Sequence, residues 1–503
     1  MSTATTPHAP KSPAVRTLKR LLNLPARVSD ASLLLGLVLL GIGAVSWLLA
    51  RRGVTAPLPT GAALRVESLF SRGGLSRVWS NPSALLTAVQ LGTVFVGWFG
   101  VRVAEQTGLL RAIASRTVSR VPAWGLSFAA VFTSILTSGY GDTPLVAMPA
   151  LWAALFLGVG RHPLAGASVS FAGCAAGFGA NVLVSRVDVL LAQTTQSAAQ
   201  AAGSTIAVSP AANYWFAFLS AFVVSGAAVF VASRWVDPLL SEVDVEAQNI
   251  PLTNPTAEAR ALVFSAIAAA VCLVGFGILL ALPSSPLRDE SGSPEPFFAG
   301  LPIAVAVLFA LPGWVFGRFA REPNAQSPRV SALATGAFSD LGSYLLPAFM
   351  AALVIVALDS TNLATVLIIK TSRIFKAQRL IAMSGVPLYM ILIVYTAAVN
   401  FLVPSASAKW ALLAPVVVPA AVRAGHSPES AQAAFRIGDS TTNILTPVMP
   451  YTVAFFALIK RYYPKAHAGT LAALTLPFTV TFLLVWSVLF GVFFFAGLPF
   501  GPG

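Results

Sequence analysis

Long apolar runs alternate with short polar or basic joints along the whole chain. Seven runs are unbroken, at about 31–49, 82–101, 214–233, 261–282, 298–317, 342–366 and 469–496. Each approaches the roughly 20 residues that a helix needs to cross about 30 Å of hydrocarbon. Four other segments are equally apolar but interrupted in the middle by Gly, Pro, Ser, Asn or a charge. AWGLSFAAVFTSILTSGYGDTPLVAMPALWAALFLGVG cannot stay helical through Gly139, Gly141 and Pro144, and it predicts a re-entrant hairpin. The segment from Pro163 through FAGCAAGFGANVLVSRVDVLL carries Gly173, Gly177 and Gly179 ahead of Asn181, Arg186 and Asp188, and it predicts a broken helix. The stretch LIAMSGVPLYMILIVYTAAVNFLVPSASAKWALLAPVVVPAAV predicts a second hairpin with its tip at Pro404 to Trp410. FRIGDSTTNILTPVMP, Phe435 to Pro450, predicts a second broken helix.

Hairpin followed by broken helix thus occurs twice, and a faint echo accompanies it. Gly160, Pro163, Phe171 and Asn181 recur in the second half as Gly425, Pro428, Phe435 and Asn443. Inverted repeats whose discontinuous helices meet at the midplane have this signature. The expected fold is an all-α polytopic membrane protein with about nine transmembrane helices, two re-entrant hairpins and inverted repeats at about 122–234 and 378–496. These repeats lie within a single transporter domain, residues 30–503.

Composition agrees. The 503 residues are 56% hydrophobic and 10% charged, and the mean hydropathy of +0.79 is far from that of a soluble globular chain. A net charge of +14 raises nucleic acid as a partner. The basic residues, however, form short clusters beside apolar runs and no continuous face, so the bilayer is the expected partner. Cys174 and Cys272 fall inside apolar runs and read as packing residues. His162 and His426 begin equivalent helices and read as boundary residues.

Residues 1–29 are rich in Ser, Thr, Pro and Ala, carry five Lys or Arg and no acid, and predict a disordered basic tail. The apolar run after it has no small-residue cleavage pattern and reads as a retained helix. Placing the tail in the cytoplasm, where anionic lipid attracts it, also puts Arg102, Arg111, Arg116, Arg120 and Arg161 inside. The cluster Lys370, Arg373, Lys376 and Arg379 is the main exception to that topology.

Charges at bilayer depth cost at least about 2.5 to 3.5 kcal/mol each, so by default they face an aqueous cavity and serve function. Asp142, Arg186, Asp188, Lys409, Arg436, Asp439 and Asp359 are the candidates. Asp439 and Asn443 offer oxygens for Na⁺ or a carboxylate for a proton, and Asp188 offers a second carboxylate. Arg436 and Lys409 offer cations to a substrate carboxylate, Trp410 offers a ring to stack on, and Asn181 takes the place of Asn443 in the first repeat. The plainer alternatives are an Arg436–Asp439 pair that merely neutralises itself, an Asp188–Arg186 pair, and Trp410 as an interfacial anchor or packing residue.

No Gly-rich loop ending in Lys-Ser or Lys-Thr supports an ATP-driven pump, and no H-E-x-x-H motif supports a zinc hydrolase. The alternative from another class is a membrane-embedded enzyme acting on a lipid-linked substrate. Broken-helix repeats suit alternating access better than an open channel.

The runs FLGVGRHPLAG, SASAKWALLAPVVVP, QAAFRIGDSTTNILTPVMPY and GLPFGPG resemble the AbgT family of p-aminobenzoyl-glutamate transporters. The resemblance implies a homodimer of subunits with nine transmembrane helices and two hairpins in the cell inner membrane. It also implies transport of p-aminobenzoyl-glutamate or export of sulfonamides, driven by a proton or Na⁺ gradient and needing no cofactor. Its functional positions fall on Asp188, Asn400, Ser407, Trp410, Pro428, Arg436, Asp439, Asn443 and Pro447, with Na⁺ expected at Asn400, Asp439 and Asn443. The first hairpin tip departs from the family: SGYGDTPLV displaces the carboxylate to Asp142, which becomes a separate candidate site.

Overall fold

The computed structural model describes residues 13–24, 30–58, 62–80, 82–88, 90–241, 243–245, 255–320, 329–339, 342–376 and 385–502. The chain opens with α1 (Pro13–Leu22) and α2 (Ala31–Arg51), followed by a small antiparallel hairpin of β1 (Thr55–Pro57) and β2 (Ala63–Arg65). Next come α3 (Arg72–Trp79), α4 (Pro82–Ala88), α5 (Leu91–Gln106) and α6 (Leu109–Arg116). The stretch expected to form the first repeat holds α7 (Ala123–Ser138), α8 (Pro144–Gly158), α9 (Pro163–Phe171), α10 (Arg186–Ala201) and α11 (Tyr214–Val231), and α12 (Asp237–Leu240) follows it. The connecting region holds α13 (Pro255–Ala281), α14 (Glu295–Ala299), α15 (Leu301–Phe319), α16 (Val330–Ser339), α17 (Gly342–Thr361) and α18 (Leu363–Thr371). The stretch expected to form the second repeat holds α19 (Val386–Val399), α20 (Ala406–Arg423), α21 (Pro428–Thr441), α22 (Pro450–Tyr462) and α23 (Ala468–Phe495).

Among the described residues, seven helices are long and apolar enough to cross a membrane. Six coincide with runs that were unbroken in the sequence, and the seventh is α20. The run at 82–101 is divided between α4 and α5, with Gln90 left-handed at φ 52°. The run at 342–366 is divided between α17 and α18, with Asn362 left-handed at φ 54°. Neither break is visible in hydropathy, because an amide residue can occupy a left-handed turn without disturbing the apolar pattern around it.

The echo between the halves has a structural basis. Gly160 (φ 78°) and Gly425 (φ 80°) each close a helix, and the residue after each donates back five positions: Arg161 N to Phe156 O at 2.9 Å, His426 N to Ala421 O at 3.0 Å. This Schellman closure needs a left-handed residue that glycine supplies without strain. A proline three positions on then starts the next helix, where its missing N–H costs nothing. Contacts between the copies are reciprocal: α10 packs on α20 while α22 packs on α8, as two copies related by a two-fold axis do.

Residues 13–22, expected to be part of a disordered tail, are helical. Val15 and Leu18 are buried on the face turned to α23 and α12, and Arg16 and Arg20 are exposed. Apolar residues three apart in a basic segment make an amphipathic helix, and packing supplies the stability that composition alone would not. The rest of the tail, much of the acidic connection after Asp237, and Arg379 lie outside the described residues.

Candidate functional site

Both predicted broken helices are broken. After α9 the chain makes a π-helical turn, Ala172–Ala176, and then runs without regular structure to Ser185. A π turn widens the helix and commonly marks a functional site. In the second copy, α21 ends at Thr441 and α22 starts at Pro450. Pro447 lies in the gap and lacks the N–H that a continuous helix would need there.

The ends of these helices carry two buried ion pairs. Lys409 Nζ lies 2.5 Å from Asp439 Oδ1, with the lysine 0% and the aspartate 3% exposed. Arg436 pairs with Asp188 across the two halves, and its Nη2 also donates to the Gly179 carbonyl at 3.0 Å, inside the first break. Asp188 is the third residue of α10. Its other oxygen accepts from Ser185 N at 2.6 Å and Ser185 Oγ at 2.7 Å, closing a capping box where the helix dipole favours a carboxylate.

Neither simple pairing alternative holds. Arg436 and Asp439 turn to different partners, and Arg186 pairs with Glu295 at 2.8 Å near the surface instead of with Asp188.

Asn400, at the end of α19, ties the lysine pair to the second break. Its Oδ1 accepts from Lys409 Nζ, and its Nδ2 faces the Asp439 carbonyl (2.9 Å), Thr442 Oγ1 (3.0 Å) and Asn443 Oδ1 (2.8 Å). Asn443 Nδ2 reaches over to the Ala175 carbonyl in the π turn at 3.2 Å. The oxygens expected to hold Na⁺ therefore hold an ammonium and an amide in this conformation.

This close approach depends on Gly438. A Cβ there would lie 2.9 Å from both Ala397 N and Thr396 Cβ on α19, inside van der Waals contact.

Lys409 and Trp410, expected at a hairpin tip, lie in the second turn of α20. Trp410 is fully buried, 4.5 Å from Phe435 between ring centroids, and its Nε1 donates to Thr195 Oγ1 at 2.9 Å. The ring is therefore a packing residue here and presents no face to a cavity. Pro428 begins α21, and Pro447 lines an apolar pocket on the far side of the break. Asn181 accepts from Val182 N (2.8 Å) and Leu183 N (3.3 Å), which shapes the first break, while its buried Nδ2 has no partner among the described residues.

A cavity of about 360 Å³ reaches Asp439 and Asn443 and is walled by Ser405, Ser407, Asp142, Phe178 and Tyr451. A second cavity, of about 540 Å³, shares Gln90, Asp142, Phe178 and Val187 with it and extends to Arg186 and Glu295. Asp142, between α7 and α8, thus borders both.

Gln90, Phe178 and Tyr451 have no sequence pattern that would have singled them out. Nor does the buried cluster in which Glu105 accepts from Arg461 (2.6 Å) and Tyr462 (3.0 Å), joining α5 to the end of α22. Glu105 falls just past the apolar run at 82–101 and Arg461 directly follows Lys460, so neither reads as a charge within an apolar run. Among the described residues no group of His, Cys, Asp and Glu could hold a metal ion.

The family model "AbgT putative transporter family" matches residues 16–503. The p-aminobenzoyl-glutamate transport protein of Escherichia coli (strain K12) is 28% identical over 463 residues, covering 91% of this chain and 90% of that protein. The crystal structure of the YdaH transporter of Alcanivorax borkumensis, described as having an unusual topology, is 33% identical. It covers 94% of this chain and 100% of that one, with a TM-score of 0.50. MtrF of Neisseria gonorrhoeae, from a class of antimetabolite efflux pumps, is 31% identical over 97% of this chain and 99% of that one, with a TM-score of 0.49. With a match over nearly its full length, this polytopic helical membrane protein belongs to the AbgT family of transporters.

Proposed function

We propose that the chain is a secondary active transporter that moves p-aminobenzoyl-glutamate, or related aromatic amino acids and sulfonamides, across the cell inner membrane, coupled to a proton or Na⁺ gradient. The observation that carries this reading is the pair of interlocked ion pairs, Lys409–Asp439 and Arg436–Asp188, set at the ends of two interrupted helices beside a cavity.

Two cations and two anions cancel there, and Asp142 adds a further carboxyl at the cavity wall. A substrate with two carboxylates therefore enters a place with no spare positive charge. A cation that travels with it, or that displaces Lys409 from Asp439, supplies the balance. Phe178 and Tyr451 offer the aromatic contact that the buried Trp410 does not offer in this conformation. The homologue, a p-aminobenzoyl-glutamate transport protein, supports this substrate class. On the same reading the chain works as a homodimer, with the pairs α7–α8 and α19–α20 as its re-entrant hairpins.

The test is uptake and efflux of labelled p-aminobenzoyl-glutamate and a labelled sulfonamide in proteoliposomes, with Na⁺ and pH gradients imposed separately. Flux that follows one gradient and is competed by unlabelled substrate supports the reading. Flux indifferent to both gradients would refute coupling.

A further inference from the structure

Beside the second break lies a pocket unconnected with the charged cavity. Its volume is about 210 Å³ and its wall is almost wholly apolar: Leu34, Leu35 and Val38 of α2, Leu445 and Pro447 of the break, Phe456 of α22, and Ala468, Leu471 and Ala472 of α23. Two lysines follow the Phe456 wall along the chain. Lys460 Nζ stands 5.1 Å from the centre of the Phe456 ring, and Lys465 is exposed in the next turn of chain.

The basic helix α1 is fixed at the start of α23. His467 Nε2 lies 3.0 Å from the Leu22 carbonyl, and the Leu21 carbonyl sits against Gly469, where no side chain would fit. Arg16 and Arg20 face outward from α1. The acid at the rim, Asp30, is engaged at the start of α2, accepting from Leu33 N at 2.9 Å.

We infer that this pocket binds one anionic phospholipid of the leaflet facing α1, with part of an acyl chain against Leu445 and Pro447 and the phosphate among Arg16, Arg20, Lys460 and Lys465. Charge complementarity selects the occupant. An apolar slot flanked along the chain by cations matches a lipid with a negative headgroup, and an amphipathic basic helix held at the membrane surface gathers such lipids from the leaflet. A small polar substrate would find only the hydroxyl of Thr452 in the slot, and that already donates to the Asn443 carbonyl.

Native mass spectrometry of the purified full-length chain, given equal amounts of phosphatidylglycerol and phosphatidylcholine, tests the inference. The wild type is expected to retain phosphatidylglycerol in preference. The Arg16→Glu/Arg20→Glu variant, altered only at exposed positions, is expected to lose that preference about tenfold. Ala472→Phe, which fills the slot, is expected to lose both lipids.

No preference in the wild type, or an unchanged preference in the charge-reversed variant, would overturn the proposal whether or not Ala472→Phe folds. If Ala472→Phe dissociated a dimer and left lipid retention unchanged, the slot would belong to a second copy of the chain and the proposal would fall. None of these outcomes depends on what the protein transports.

Discussion

Arg436 and Asp439 stand three residues apart on one helix, yet each holds a charge from elsewhere: Arg436 holds Asp188 on α10, and Asp439 holds Lys409 on α20. The helix α21 is therefore tied at one turn to both halves of the molecule. A substitution at either position releases a buried charge on a different element.

Replacing Asp439 by Asn is expected to abolish gradient-driven flux. It also strands the ammonium of Lys409, and removing one partner of a buried pair costs about 3 to 5 kcal/mol. The double variant Lys409→Met/Asp439→Leu removes both charges and is expected to regain most of that stability without regaining transport. Thermal unfolding in detergent and proteoliposome flux on the same preparations separate the two effects. Normal flux in Asp439→Asn would eliminate its coupling role.

Lys409→Gln frees the oxygens of Asp439 and Asn400 for another cation. If Na⁺ is the coupling ion, NaCl is expected to raise the unfolding temperature of this variant above that in choline chloride, by more than in the wild type. A hundredfold excess of Na⁺ over its Kd corresponds to about 2.7 kcal/mol. Equal temperatures in the two salts would favour the proton.

Arg436→Lys keeps the charge but loses the planar fork that reaches Asp188 and the Gly179 carbonyl together. Transport is expected to fall at least about tenfold. In a cycle with Asp188→Asn the two losses are expected not to add, because both remove the same contact. Additive losses in stability and flux would show that the pair is not coupled.

Gly438→Ala introduces a methyl group where α19 and α21 touch, and overpacking of this kind costs about 1 to 3 kcal/mol. Gly491→Ala, on the open side of α23 with no atom within 4 Å of the new Cβ, is expected to be neutral or stabilising by up to about 1 kcal/mol. Comparing unfolding temperatures of the two variants checks the close approach. Equal stability would disprove it.

Glu105→Gln weakens the hold on Arg461 and Tyr462 at the junction of α5 and α22. The loss is again about 3 to 5 kcal/mol if the arginine stays charged and buried. A lowered unfolding temperature with substrate affinity unchanged would identify the cluster as structural. A change in affinity at constant stability would contradict that assignment.

Hydropathy and helix breakers were enough to locate the interrupted helices, because Gly177, Gly179, Pro447 and Pro450 leave the backbone few choices. The cost of intramembrane charge singled out all four members of the two ion pairs. The pairing itself was illegible: Asp188 and Arg436 are 248 positions apart, and only the packing of one repeat on the other brings them together. Periodicity likewise could not tell that Trp410 points at Thr195 and away from the cavity. Gln90 and Asn362 stayed hidden because hydropathy does not record the sign of φ.

The resemblance between the two repeats is one of chain path and not of charge. Counted from Phe171 and Phe435, Ala172 and Ala175 stand where the second copy has Arg436 and Asp439. Asn443 reaches for the backbone of Ala175, the very residue that lacks a carboxylate. At these positions the two breaks are therefore not interchangeable: the second brings polar side chains to their contact, and the first answers with backbone carbonyls.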